Sequence, residues 1–174
     1  IGTVAKRMAG EGISVVIVTG DKDALQLVDE RITVVSPYRD KATVYTTAKV
    51  KERFDGLGPS QITDVMGLMG DSSDNIPGVQ GIGEKTAVQL IKEFQSVERL
   101  LQSLDSLKSA SKRKLIAEHR KELELSKELA TIDCAVPLEV SRDEMLLRSP
   151  DRKKLMTLFR ELEFKRLLHE LDGP

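Results

Sequence analysis

Ile1, Val4, Ala5 and Met8 recur at the spacing of one helix face, and Gly10 reads as the stop. Ser14-Val15-Val16-Ile17-Val18 is a continuous β-branched run, the pattern of a strand buried on both faces of a parallel sheet. Residues 24–28 fit a short helix and residues 32–36 a second strand. Residues 43–46 fit a short third strand after a turn over residues 37–41. From Thr47 the period becomes helical. A short helix over residues 48–54 ends at Gly56, and Pro59 opens another that runs to Met69 and stops at Gly70. Further helices are predicted over residues 84–94, from a Ser96 cap through Leu101, and over residues 109–130 with a break near His119. Residues 137–140 read as extended. Ser149 as N-cap and Pro150 at the first helical position start a last helix, with Leu155, Leu158, Phe159 and Leu162 facing inward. The fold class is therefore α/β: a small parallel sheet followed by a mainly helical part.

Composition narrows this picture. Charged residues make up 32% of the 174 and aromatics 3%, so the core must be aliphatic. A formal net charge of −1 does not advertise nucleic-acid binding, which leaves that argument to local clusters. A single cysteine, Cys134, excludes an internal disulfide framework and fits a reducing compartment. With no apolar run long enough for a bilayer and no signal peptide, the chain reads as soluble and cytoplasmic. It opens without Met, inside a helix, and its few strands make a poor free-standing parallel sheet. Those features predict the back portion of something longer.

The densest chemistry lies in Gly70 to Ala87, GDSSDNIPGVQGIGEKTA. Asp71 and Asp74, three positions apart, would share one face of a helical turn and reach one hard cation. Gly78-Val79-Gln80-Gly81-Ile82-Gly83 is a glycine-spaced hairpin. Gly81 and Gly83 can adopt positive φ and bring backbone N–H groups close to an anion, beside a helix N-terminus. The ordinary reading of each half alone is a turn or a cap; their adjacency favours phosphodiester chemistry. Asp21 and Asp23 form a second pair where the first strand ends, the usual place for ligands in open α/β sheets. One of them can also simply cap the helix at Ala24. Together the two pairs suggest a cluster of carboxylates that repel unless a cation neutralises them.

GDSSDNIPGVQGIGEKTA, with VVIVTGDKDALQLVD near the start and ELEFKRLLHEL near the end, resembles the 5′ nuclease domain of bacterial DNA polymerase I, in the flap-endonuclease superfamily. The resemblance covers essentially the whole chain but only the later part of that domain. It implies a remnant of a PIN-like sheet in residues 1–57 and a helical DNA-binding subdomain in residues 58–174, with a helix-three-turn-helix hairpin at 76–86. It implies that Asp21, Asp23, Asp71 and Asp74 are catalytic metal ligands for Mg²⁺ or Mn²⁺ in a two-metal site. Gly78, Gly81, Ile82, Gly83, Lys85 and Thr86 would bind DNA, with K⁺ at the hairpin.

The implied substrate is branched duplex DNA with a 5′ flap, cleaved during repair and replication, and the implied neighbours are covalently linked polymerase domains. A free-standing exonuclease remains open. Further carboxylates of the family's pattern lie upstream of the position that Ile1 matches, so this chain alone is expected to be weak or inactive. The reading from another class is a non-catalytic, structure-specific duplex DNA-binding module. Lys108, Lys112, Arg113, Lys114, Arg120 and Lys121 fit either a second backbone contact or a solvated helix face with Glu118 and Glu122 as partners. His119 and His169 lack metal-ligand spacing, and Cys134, Met66 and Met69 read as core.

Overall fold

The computed structural model describes residues 1–38 and 41–172. Contacts divide the chain into a unit spanning Ile1–Val136 and a second unit beginning at Pro137. The first holds α1 (Gly2–Gly10), β1 (Val15–Val18), a 3₁₀ turn (Lys22–Leu27), β2 (Ile32–Tyr38), β3 (Lys41–Tyr45) and α2 (Thr47–Arg53). A second 3₁₀ turn (Pro59–Gln61) leads into α3 (Ile62–Met69), followed by α4 (Glu84–Phe94), α5 (Val97–Gln102), α6 (Ala110–Glu118) and α7 (Arg120–Ala130).

The sheet has the order β1-β2-β3. β1 runs parallel to β2 with Val15 opposite Ile32, and β2 runs antiparallel to β3 with Val34 opposite Tyr45 and Pro37 opposite Ala42. The predicted turn over residues 37–41 falls partly on residues 39 and 40, which lie outside the described residues. Strand pairing reaches further into that turn than the sequence suggested, so β3 begins at Lys41 rather than Thr43.

β1 corrects one expectation. Ile17 is buried, but Val16 is 60% and Val18 is 68% exposed. A β-branched run reports what a strand is suited to face on both sides. Within these residues α1 and the Lys22–Leu27 turn cover one face only.

α3 is the centre of the first unit. Ile62, Val65, Met66 and Leu68 are all buried, and α4 and α7 pack on it. α3 is enclosed on nearly every side, its one charged residue, Asp64, included. It ends at Gly70, whose φ of +69° lets the chain leave the helix sharply. Thr46, Ser96 and Ser109 cap α2, α5 and α6 by accepting backbone N–H groups of the first turn.

The second unit contains a 3₁₀ turn (Asp143–Met145), α8 (Arg152–Glu161) and α9 (Lys165–Asp172). Asp151, not Ser149, caps α8, accepting the Lys154 N–H at 3.1 Å, and Pro150 lies outside the helix. Both residues suit a cap, and the carboxylate nearer the apolar stripe takes the position. α9 was not anticipated. Leu158 and Leu162 are half exposed rather than inward, because a two-helix unit has little to bury them against; Phe159 and Phe164 lie 6.1 Å apart by ring centroid. Residues 137–140 belong to no helix or strand. Among the described residues no helix is long and apolar enough to cross a membrane.

Candidate functional site

The first acidic pair sits on the turn that follows β1. The Thr19 hydroxyl accepts the Asp21 N–H at 3.1 Å, and the Asp21 carboxylate accepts the Asp23 N–H at 2.9 Å. Asp21 is therefore the N-cap of the Lys22–Leu27 turn, so the capping role exists alongside any other. Asp23 is different. Its Oδ1 is buried with no hydrogen-bond partner among the described residues. Burial first, then the charges of Asp21, Asp74 and Asp71, push its carboxyl up to about 6; Lys22 opposes them. The two acidic pairs, some fifty positions apart in sequence, thus share one electrostatic neighbourhood.

The second pair occupies a closed loop, not the helical turn expected from spacing. Asp71 and Ile76 exchange backbone hydrogen bonds at 3.0 and 2.8 Å, and the Asp71 side chain accepts the Ser73 N–H at 2.8 Å. At the base, two glycines meet backbone to backbone: a Cβ on Gly70 would lie 2.6 Å from the Ile76 carbonyl oxygen, and one on Gly78 would land on the Gly70 amide. Both have positive φ.

The glycine hairpin departs from expectation in three places. The Gly78 N–H is already donated to the Ser126 hydroxyl at 2.9 Å. Ile82 is 4% exposed, and its N–H goes to the Val79 carbonyl at 2.9 Å, so neither its side chain nor its amide faces a ligand. Gly83 has φ −91° and serves as the extended N-cap of α4; only Gly81, at φ +93°, takes the left-handed conformation foreseen for both. Gly81, Gly83 and the first turn of α4 keep N–H groups that have no partner among the described residues, and α4 has no side-chain cap. Lys85 is exposed and Thr86 half-buried on that turn.

One open cavity of about 560 Å³ lies between the Asp71 loop and the start of α4. Asp71, Ser72 and Asn75 line it from the acidic loop, and Gly83 and Glu84 from the start of α4. Arg53 grips Glu84 with two bonds of 2.6 and 2.8 Å, which hold its carboxyl below the usual carboxylate range, with Lys22 adding to the effect. Among the described residues, no three His, Cys, Asp or Glu side chains stand as a ready-made metal cage. The four aspartates form a shared field rather than a closed coordination shell.

Other candidates resolve more simply. Lys114 pairs with Glu118 at 3.8 Å and Arg120 with Glu124 at 3.0 Å, while Arg113 donates to the Asp105 carbonyl at 3.1 Å. All three therefore have partners of their own on the protein surface. Cys134 and Met69 are half-buried against the core, and Met66 is inside it. Sequence reasoning missed Arg53, Gln26 and Ser126. Ser126 did carry a signal, as a polar residue three positions after Leu123 on the apolar stripe of α7.

Residues 1–55 match the family described as 5′-3′ exonuclease, N-terminal resolvase-like domain, and residues 57–153 match 5′-3′ exonuclease, C-terminal SAM fold. The chain belongs to the 5′-3′ exonuclease family. The resemblance read from the aspartate and glycine motifs therefore holds. DNA polymerase I of Bacillus caldotenax is 43% identical over 176 aligned positions, covering 100% of this chain and 20% of the relative. The thermostable DNA polymerase I of Thermus aquaticus is 45% identical over 177 positions, with the same two coverages. The chain thus spans about a fifth of the curated relatives it matches. Among solved structures, T5 5′-exonuclease with bound zinc superposes with a TM-score of 0.66 at 22% identity, covering 74% of this chain and 47% of that one. The catalytic core of Rad2 in complex with DNA substrate gives 0.61 at 15% identity, with coverages of 98% and 61%. At those identities the likeness is one of fold.

Proposed function

We propose that this 5′-3′ exonuclease family chain takes part in divalent-metal-dependent hydrolysis of phosphodiester bonds at 5′ ends and flaps of branched duplex DNA. One observation carries the reading. Asp23, with a buried oxygen that has no partner among the described residues, lies in the field of Asp71 and Asp74, and their loop shares a cavity with the uncapped start of α4. Hard carboxylate oxygens held together against their own repulsion suit a hard cation. We assign Asp21, Asp23, Asp71 and Asp74 to hold Mg²⁺ or Mn²⁺. A bound divalent ion would neutralise this cluster and supply Lewis acidity at a scissile phosphate.

The chain's own groups do the rest. The N–H groups of Gly81, Gly83 and the first turn of α4 grip backbone phosphate without reading bases, and Lys85 and Thr86 add contacts there. Arg53 masks the charge of Glu84, which would otherwise repel the phosphate. The loop of residues 78–83 is also where backbone carbonyls would hold K⁺ against the same strand. DNA complexes of the T5 enzyme and Rad2 support this reading, as does the DNA polymerase I name of the relatives, whose further domains would be covalent neighbours. Residues 1–57 would supply the nuclease core and residues 58–174 the DNA-binding part. Two ions about 3.5–4 Å apart need more ligands than four aspartates give, so hydrolysis by these residues alone is weak.

The lack of a ready-made cage among the described residues favours a second reading, a duplex-binding module without hydrolytic activity. Titration with Mn²⁺, run beside fluorescence anisotropy on a 5′-flap duplex, separates the two. The nuclease reading expects Mn²⁺ binding that Asp23→Asn or Asp71→Asn abolishes, with DNA binding retained or slightly tighter. Duplex binding with no Mn²⁺ site supports the module, and loss of both overturns either assignment.

A further inference from the structure

The two acidic turns are joined through one helix. Ser126 on α7 is fully buried; its hydroxyl accepts the Gly78 N–H at 2.9 Å and donates to the Glu122 carbonyl at 2.6 Å. Gly78 is the base of the Asp71–Asp74 loop and is jammed against Gly70, so displacing it displaces the start of that loop. At the C-terminal end of the same helix, one turn beyond Ser126, Gln26 makes three bonds of 2.9 Å. Its Nε2 donates to the Asp23 and Ala130 carbonyls, and its Oε1 accepts the Ile132 N–H. Ser126 and Ala130 are buried on one face of α7, one turn apart, a separation of about 6 Å along the axis.

We propose that α7 is the strut that sets the distance between the two acidic turns, and that Ser126 and Gln26 are its positioning residues. This rests on the metal-site reading above. Four carboxylates in one field push their turns apart, and flexible turns yield to such a push. A helix bonded to both turns does not. α7 is itself fixed on α3: Gly67 admits the Lys127 backbone so closely that a Cβ there would lie 3.1 Å from the Lys127 Cα. The Ser126 hydroxyl and the Gln26 amide are engaged in these protein bonds; each orients a turn that bears the proposed ligands, as outer-shell partners do.

The test compares Ser126→Ala, Gln26→Leu and their double variant with Thr131→Val. Thr131 lies beside the same helix end and its valine variant loses a bond too, from the hydroxyl to the Lys127 carbonyl at 2.7 Å, which reaches neither turn. In metal-free protein on a Cys134→Ser background, spin labels introduced by Lys22→Cys and Ser73→Cys report the spacing of the turns. Ser126→Ala and Gln26→Leu should broaden and lengthen that distance distribution; Thr131→Val should leave it unchanged. Mn²⁺ affinity should fall about tenfold for each of the first two and by less than twofold for Thr131→Val. The double variant should lose less than the product of the singles, because a strut freed at one end no longer holds the other. An unchanged label distance overturns the strut whatever the metal does. Mn²⁺ binding that is the same in wild type, Asp23→Asn and Asp71→Asn overturns the metal site instead, and the label distances still judge the strut.

Discussion

Arg53 on α2 holds both carboxylate oxygens of Glu84, the first residue of α4, at 2.6 and 2.8 Å. Glu84 lines the cavity beside the proposed phosphate grip, and the worth of the pair is electrostatic rather than structural. Both side chains are about 40% exposed, so breaking the pair changes stability by less than about 1 kcal/mol. Arg53→Ala bares a negative charge at a helix end that should attract an anion. One exposed charge there is worth about 0.3–1 kcal/mol, so duplex binding should weaken about two- to fivefold. Glu84→Gln should tighten it by a similar factor. Anisotropy titrations at fixed salt check this, and the two variants must move in opposite directions.

Asp23 sets a pH dependence whose sign can be worked out. Its carboxyl is raised from the ordinary 3.8 to about 6 in the folded chain, so folding favours the protonated form. The stability this group contributes is fully present below about pH 3.8 and is lost as pH rises through 6. At pH 7.5 ionised Asp23 therefore opposes folding of the metal-free protein. Asp23→Asn should melt a few degrees higher than wild type at pH 7.5, where about 1 kcal/mol moves Tm by about 2–4 °C in a domain of this size. The advantage should vanish by pH 4. Mn²⁺ at pH 7.5 should raise the wild-type Tm and leave the variant unchanged.

The acidic chemistry was legible because it depends on residue type and short spacing: Asp21, Asp23, Asp71 and Asp74 declare themselves, and Gly70 declares the end of α3. The hairpin was half legible. Nothing near Gly78 announces that its amide is taken, because the acceptor, Ser126, lies 48 positions away. Ile82 looks like a loop residue between glycines, but it is buried in the core. The valines of β1 record a strand fit for cover on both sides, whichever faces these residues themselves cover. Asp151 and Ser149 both suit an N-cap, and propensity alone does not rank them.

Two glycines of the same motif should respond differently to alanine. Gly78 has φ +60°, and its Cβ would strike the Gly70 amide, so Gly78→Ala forces the acidic loop open. It should cost more than about 2 kcal/mol, beyond the roughly 1–2 kcal/mol of a left-handed alanine alone, and abolish Mn²⁺ binding. Gly81 has φ +93°, but the nearest atom to its Cβ is Leu115 Cδ2 at 3.7 Å, an ordinary contact. Gly81→Ala should therefore cost only the backbone strain of about 1–2 kcal/mol and weaken duplex binding with Mn²⁺ affinity intact. Denaturant unfolding beside Mn²⁺ titration measures both.

Asp64 shows how much of the scaffold hangs on one buried carboxylate. It is 4% exposed on α3, and its Oδ1 accepts both the Val97 N–H of α5 at 2.8 Å and the Lys127 ammonium at 2.6 Å. Glu98 shares Lys127 from the surface side at 2.7 and 2.9 Å. Asp64→Ala strips a helix start and a half-buried cation of a partner together. Breaking a buried pair costs about 3–5 kcal/mol, and the remaining bond to Glu98 places this case near the lower end, a Tm loss of about 6–12 °C. Asp64→Asn keeps an acceptor for Val97 and should cost less, while Glu98→Ala, at the exposed end, should cost under about 1 kcal/mol. The double variant Asp64→Ala/Lys127→Met removes the stranded cation as well. It should recover part of the loss but not all of it, because the Val97 N–H still lacks its acceptor. Thermal melts of these four variants and of Lys127→Met alone check the order, and a double whose loss equals the sum of the two singles would mean that the ion pair contributes nothing beyond the cap.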